Sequence, residues 1–106
     1  MVNYTATLHT FSNEKSYYSW DKEKKFVRFE ILDSEQIKFT ANNLDEAEAY
    51  IIKNYPDRCC GYGISGDNGS FLCDVVNDCY YGELGLETME QIYAYKIGML
   101  EKKGLA

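Results

Sequence analysis

Hydrophobic and polar residues alternate along much of the first forty positions, and this pattern predicts β-strands. Residues 2–10 alternate most regularly, with Val2, Tyr4, Ala6 and Leu8 on one face. The segments Phe26–Leu32 and Ile37–Thr40 repeat the alternation. The polar stretch Asp33–Gln36 between them predicts a loop at which the chain reverses.

An aromatic cluster lies between the first two of these segments, at Tyr17, Tyr18 and Trp20. We interpret it as a short additional strand, closed by a turn over residues 21–25. Short polar connections favour antiparallel neighbours. The first forty residues are therefore predicted to form a four-stranded β-meander.

The pattern changes to a helical period at Asn43. Its side chain can accept a hydrogen bond from the first backbone amides of a helix, and Glu46 can complete a capping box. Pro56 is predicted to end this helix. The residues spaced to form its buried face are Leu44, Ala47, Ile51 and Tyr55.

A β-hairpin is predicted around Asn68-Gly69, because this dipeptide suits the two central positions of a type I′ turn. That turn would pair Ile64 with Cys73 and Tyr62 with Val75. The predicted apolar face of the hairpin then comprises Cys60, Tyr62, Ile64, Phe71, Cys73 and Val75.

A second capping box, Thr88 with Gln91, predicts a last helix that runs to about Lys103 and is capped by Gly104. Its predicted buried residues are Met89, Ile92, Tyr93, Ile97 and Leu100. The expected fold is therefore α+β: an antiparallel sheet, built from a β-meander and a β-hairpin, with two helices packed on one face.

The composition places this fold in a single domain. The chain has 106 residues, of which 45% are hydrophobic and 26% charged, values typical of a globular protein. No stretch approaches the roughly 20 apolar residues that a membrane span needs, and the N-terminus lacks the basic start of a signal peptide. We therefore expect a cytoplasmic protein whose cysteines are thiols.

Residues 61–66 match the pattern G-x-G-x-x-G, which in dinucleotide-binding folds opens a helix that holds a pyrophosphate. Here the motif runs into a turn and another predicted strand, so we expect no nucleotide cofactor. The single histidine, His9, lies on the polar face of the first strand and is expected to be solvated. No catalytic triad, paired-carboxylate motif or phosphate loop is recognisable. We expect a protein that is not an enzyme and has no cofactor.

The four cysteines, Cys59, Cys60, Cys73 and Cys79, support an alternative hypothesis of a thiol-dependent metal-binding or redox protein. Their spacing departs from the pairs two to four residues apart that structural zinc sites use. In the predicted register, Cys60 and Cys73 face the core, where cysteine behaves as a small hydrophobe. We therefore predict no metal site.

Negative charge is concentrated in one part of the chain. The net charge is −6, and no lysine or arginine occurs between Arg58 and Lys96. Tyrosines interleave with the acids in this window, and tyrosine is a frequent anchor of protein contacts. The acids of the window are Asp67, Asp74, Asp78, Glu83, Glu87 and Glu90.

These features favour a small acidic binding or inhibitor protein that docks on a basic site of a partner protein. Anti-CRISPR, antirestriction and toxin-immunity proteins act in this manner, on an RNA-guided effector, a nuclease or a toxin. Direct binding of nucleic acid or membrane is not expected. A homodimer formed through an exposed edge strand, such as the first, is a further possibility. The predicted contact residues are Asp74, Asp78, Tyr80, Tyr81, Glu83 and Glu87.

Overall fold

The computed structural model of this chain describes residues 1–17, 27–58, 61–74, 85–86 and 89–106. Within these ranges it contains a four-stranded antiparallel sheet and two α-helices, which confirms the predicted α+β class. The elements in chain order are β1 (Val2–Tyr17), β2 (Val27–Ala41), α1 (Leu44–Asn54), a 3₁₀ turn (Pro56–Arg58), β3 (Tyr62–Gly66), β4 (Phe71–Asp74) and α2 (Met89–Lys102).

The strands are ordered β2-β1-β3-β4, so β1 is interior and β2 and β4 form the two edges. Residues Tyr4–Leu8 of β1 pair with β2 on one side and with β3 on the other. The suggestion that the first strand offers an exposed edge is therefore wrong for this part of β1. Helix α1 follows β2 and leads to β3, which lies beyond β1.

The predicted meander is instead one long hairpin, because β2 continues through Asp33–Gln36 without reversing. These four residues pair with Thr7–Thr10 of β1, and all four are exposed. Tyr17 ends β1, whereas Tyr18, Trp20 and the predicted turn at residues 21–25 lie outside the described residues. The polar residues Asp33–Gln36 resembled a loop because their side chains are exposed on both faces of β2. No apolar side chain therefore alternates with the polar ones.

The register of the second hairpin differs by one residue from the prediction. Ile64 pairs with Leu72 rather than with Cys73. The Gly66 amide donates to the Ser70 carbonyl at 2.8 Å, the Gly69 amide donates to the Gly66 carbonyl at 3.0 Å, and Gly69 has a φ of 87°. The loop therefore has three residues, 67–69, with glycine in the left-handed position that closes such a loop.

This register reverses the two faces of β4. Leu72 packs against the core, whereas Phe71 is 68% exposed and Cys73 is exposed on the opposite face of the sheet. The prediction that Phe71 and Cys73 face the core is therefore wrong. Its cause is the three-residue loop, since a shift of one residue moves every side chain of a strand to the other face.

The glycine motif lies in β3, and it leads into the hairpin loop and not into a helix. Its last residue, Gly66, serves the turn. A Cβ atom at this position would lie 2.6 Å from both the Asn68 side-chain oxygen and the Ser70 hydroxyl. Gly66 therefore permits close packing at the hairpin, whereas a Cβ atom at Gly63 would meet nothing within 4 Å.

Helix α1 begins as predicted, since the Asn43 side chain accepts a hydrogen bond from the Glu46 amide at 2.9 Å. The Glu46 carboxylate accepts from the amide of Asn42, one residue before the cap, at 3.1 Å. Of the predicted inner face, Ala47 and Ile51 are buried; Leu44 and Tyr55 are partly buried against the core.

Helix α2 ends in a Schellman motif at Gly104, which has a φ of 74°. The Gly104 amide donates to the Glu101 carbonyl at 3.0 Å, and the Leu105 amide donates to the Leu100 carbonyl at 2.8 Å. Of the predicted inner residues, Ile92 and Leu100 are buried and Tyr93 and Ile97 are partly buried. Thr88 and the Met89 side chain are not among the described parts.

The core lies between one face of the sheet and the two helices. Its buried members from the sheet, among the described residues, are Tyr4, Ala6, Leu8, Ala41, Tyr62 and Ile64. Those from the helices are Ala47, Ala49, Ile51, Ile52, Ile92 and Leu100. No described helix has the length and apolar character needed to cross a lipid bilayer.

Candidate binding surface

The structure places one of the six predicted contact residues. Asp74 is the last residue of β4, and its side chain is 19% exposed. The other five, Asp78, Tyr80, Tyr81, Glu83 and Glu87, lie outside the described residues. The contacts of Asp74 therefore show how the chain is anchored at the first of the six predicted contact residues.

A polar cluster lies between the sheet and both helices, centred on the fully buried Tyr62. The Tyr62 hydroxyl donates to a Glu48 carboxylate oxygen of α1 at 2.8 Å. It accepts a hydrogen bond from the Lys96 ammonium of α2 at 3.1 Å. Lys96 also lies 5.1 Å from the centre of the Tyr62 ring and forms an ion pair with Asp74. The cluster joins α1, β3, β4 and α2.

This polar cluster fixes the end of β4 to α2. The Lys96 side chain is only 9% exposed, and a charge this deeply buried is stable only when it is paired and hydrogen-bonded. Asp74 supplies the compensating charge, so its carboxylate is engaged with the interior of the protein. The segment that begins at residue 75 thus starts from an anchored position.

The sequence contained a signal for Lys96 that the helix prediction did not use. Ile92, Lys96 and Leu100 are spaced four residues apart, so they occupy one stripe of α2. The two apolar members of that stripe are buried, and Lys96 lies between them with 7% of its surface exposed. A lysine within an apolar helical stripe predicts a buried acidic partner. The sequence did not indicate that this partner is Asp74.

The outer edge of β4 exposes apolar surface and backbone. Phe71 and Cys73 lie on the open face of the sheet, opposite the helices. Each residue of β4 pairs with β3 on its inner side, and no other described strand pairs with its outer side. An exposed aromatic residue on an edge strand is a typical anchor for a protein partner.

Among the residues that the structure describes, Lys96 is the cation that forms an ion pair with β4. The exposed lysines lie elsewhere: Lys38 on β2, Lys53 at the end of α1, and Lys102 and Lys103 at the end of α2. Arg58 is ion-paired with Glu35 beside β2. Asp67, in the hairpin loop, is exposed and accepts a hydrogen bond from the Asn3 side chain at 2.9 Å.

Polar side chains also lie on the open face, across the described parts of β1, β2 and β3. A shallow depression of about 600 Å³ crosses three strands and is lined mainly by hydroxyl, amide and charged side chains. His9 lies on the same face and is partly buried, and its Nδ1 atom is 2.6 Å from the Ser34 hydroxyl oxygen. The residues lining the depression include Asn3, Thr5, Lys38, Thr40, Ser65 and Asp67.

Of the four cysteines, the structure describes only Cys73, which is an exposed free thiol. Cys59, Cys60 and Cys79 lie in the segments that it leaves out. Within the described ranges, no group of three or more histidine, cysteine, aspartate or glutamate residues is arranged to hold a metal ion. The thiol hypothesis gains no geometric support from Cys73 alone.

No family model matches this chain, and neither a curated protein nor a solved structure shows a significant match to it.

Proposed function

We propose that this protein is a non-enzymatic binding protein that docks an acidic, tyrosine-rich surface on a basic site of a partner protein. The surface, here called the acidic surface, comprises Asp78, Tyr80, Tyr81, Glu83 and Glu87, with Asp74 at its base. The protein then acts as an inhibitor, whose carboxylates occupy the positions that nucleic-acid phosphates would take in the partner's binding site. Partners of this chemistry include a nuclease, an RNA-guided effector and a toxin.

The uneven distribution of charge carries this proposal. Residues 59–95 contain six acids and no lysine or arginine. The first cation beyond this window, Lys96, is buried and paired with Asp74. It therefore adds little positive potential at the surface. A concentrated negative field of this kind accelerates and orients association with a basic partner.

The anchored position of Asp74 also supports the proposal. Because β4 is fixed at its last residue by the Lys96 ion pair, less conformational entropy is lost when the following segment binds a partner. Asp74 then acts as a positioning residue at the base of the acidic surface, and the residues that follow it make the contact.

Neutralisation of the acidic surface tests the proposal. The triple variant D78N/E83Q/E87Q should lose a partner that the wild-type protein captures from its native host. Capture by the wild-type protein should also weaken as the salt concentration rises, because screening reduces the attraction between exposed charges. Affinity capture at two salt concentrations, followed by titration with the purified partner, measures both effects.

The matched control is D33N/D57N/E101Q, which removes the same amount of charge from exposed acids outside the window. This variant should retain the partner. Equal losses in the two variants would show that net charge alone governs binding. Unchanged binding and salt dependence in D78N/E83Q/E87Q would refute the acidic surface.

A further inference from the structure

The outward-facing backbone groups of β4 can be assigned from its pairing with β3. In antiparallel strands, hydrogen-bonded pairs alternate with pairs whose amides and carbonyls point away from each other. The bond from the Gly66 amide to the Ser70 carbonyl places Ile64 and Leu72 in a hydrogen-bonded pair. The backbone groups of Phe71 and Cys73 therefore point toward the outer edge of the sheet.

The same two residues also carry the exposed side chains of β4. Phe71 is 68% exposed and the Cys73 thiol is exposed, both on the open face. A strand added at this edge would gain main-chain hydrogen bonds at Phe71 and Cys73, and it would cover the Phe71 ring. Peptide recognition by strand addition uses this combination of backbone pairing and alternate side-chain contacts.

The β4 edge has little of the protection that edge strands usually carry. Natural edges are blocked by lysine, proline, bulges or covering elements. β4 reads Phe-Leu-Cys-Asp, without lysine or proline, and its register with β3 is unbroken. Its protective features among the described residues are its shortness, four residues, and the inward-pointing charge of Asp74 at its end. The short length limits pairing to a correspondingly short segment.

We propose that an extended, lysine- or arginine-containing segment of the partner protein adds to β4 as a fifth strand, with Phe71 as its apolar anchor. This inference rests on the proposed function and specifies how the partner is held. A second copy of this chain is a poorer occupant, because each copy brings the same window of six acids without a lysine or arginine. A basic segment instead complements that charge.

The edge is held rigid at both ends. The hairpin loop closes one end through the Gly66–Ser70 hydrogen bond, and the Asp74–Lys96 ion pair fixes the other. A pre-formed strand edge binds an extended segment without an ordering cost of its own.

Amide hydrogen exchange by NMR tests the inference directly. In the isolated protein, the Phe71 and Cys73 amides should exchange quickly, whereas the Leu72 amide, which faces β3, should be protected. A blocked seven-residue peptide of alternating valine and lysine serves as the probe. Its binding should slow exchange at Phe71 and Cys73 by about tenfold or more, since each amide gains a strand hydrogen bond.

The control peptide has the same sequence and charge but carries N-methyl groups on three consecutive central backbone nitrogens. This change blocks strand pairing on both edges of the peptide. We expect it to bind at least about tenfold more weakly, as expected when main-chain hydrogen bonds supply the affinity. Equal binding of the two peptides, or protection elsewhere than at Phe71 and Cys73, would overturn the inference. Protection that rises with protein concentration alone would indicate self-pairing and would also overturn it.

Protein variants locate the contact. F71A should weaken peptide binding by about tenfold, the effect of losing an aromatic anchor. M99A, which truncates an exposed apolar residue of α2, should leave peptide binding unchanged.

C73K should weaken peptide binding severalfold, because it places a lysine on the β4 edge, where a charge blocks strand addition. T40K places the same charge on the exposed face of the opposite edge strand and should have no effect. Equal effects within either pair would contradict the assigned edge.

The failure of this inference and that of the proposed function give different results. If D78N/E83Q/E87Q loses the partner while F71A and C73K retain it, the acidic surface stands and the β4 edge is refuted. If the peptide protects Phe71 and Cys73 but neutralising the three acids leaves partner binding unchanged, the proposed acidic surface fails and the strand edge stands.

Discussion

The two edge strands of this sheet differ in length, protection and the way they are held. β2 has fifteen residues and β4 has four. β2 displays Lys38 on the open face, whereas β4 displays Phe71 and Cys73 there. One sheet thus has an edge with the usual guarding charge and another that exposes an aromatic ring. This difference is the basis for our proposal that the partner binds at β4 and not at β2.

The inner faces of the two edge strands differ as well. Phe39 of β2 stacks on Tyr4 and Tyr50, with ring centres 5.9 and 4.5 Å apart. β4 contributes Leu72 to the core and fixes its end through the Asp74–Lys96 ion pair. β2 is thus held mainly by apolar packing and β4 by a buried polar contact. Polar contacts specify position well but depend on both partners being present.

The largest effect is expected from K96M, which removes the charge that holds β4. Asp74 would stay largely buried after losing this ion pair, and we expect a loss of about 3 kcal/mol in the free energy of unfolding. Urea denaturation measures this loss. The double variant D74L/K96M should recover most of it, because an apolar pair of similar volume leaves no unpaired charge.

K102M is the matched control, since Lys102 is exposed in the last turn of the same helix. It should change the free energy of unfolding by less than about 0.5 kcal/mol. A K96M variant as stable as K102M would show that the ion pair does not hold β4.

Phenylalanine truncation on each edge strand compares the two edges directly. F39A removes a ring that packs between two tyrosines, and we expect it to cost about 2 kcal/mol, less than a fully buried phenylalanine because Phe39 is only partly buried. F71A removes a ring that is 68% exposed and should cost less than about 0.5 kcal/mol. Thermal unfolding of the two variants measures the difference. Similar losses would contradict the assigned faces of β2 and β4.

The smallest effect concerns the turn that sets the register of β4. Gly69 has a positive φ, so G69A should cost about 1 kcal/mol. Gly63 lacks a positive φ, and a Cβ atom there would meet nothing within 4 Å. G63A should therefore be neutral or slightly stabilising. Chemical denaturation of both variants checks the contrast, and equal effects would argue against the left-handed conformation of Gly69.

The sequence predicted the features that local chemistry determines. The Asn43 cap and the Gly104 cap each depend on residues within one turn of helix, and both are confirmed. The class of the fold followed from the change between period two and the helical period. These signals are readable because each depends on a few neighbouring residues.

The errors arose where contacts between residues distant in sequence determine the structure. Gly69 suits a two-residue and a three-residue loop equally well, so the dipeptide Asn68-Gly69 could not determine the register. The pairing of Asp74 with Lys96, on elements separated by residues 75–88, likewise follows from packing. The exposed residues Asp33–Gln36 resembled a loop because their role is set by pairing with β1. The residues of the acidic surface beyond Asp74 remain a prediction.

The interior position of β1 has a consequence for synthesis of the chain. Its hairpin with β2 can form once Ala41 has emerged from the ribosome, but the other side of Tyr4–Leu8 pairs only with residues 62–66. At a synthesis rate of about 5–20 residues per second, residues 62–66 follow Ala41 after roughly one to five seconds. During this time, that side of β1 has no strand to pair with. The nascent chain therefore carries a temporary open edge on the strand that becomes the most enclosed, and co-translational aggregation would begin there.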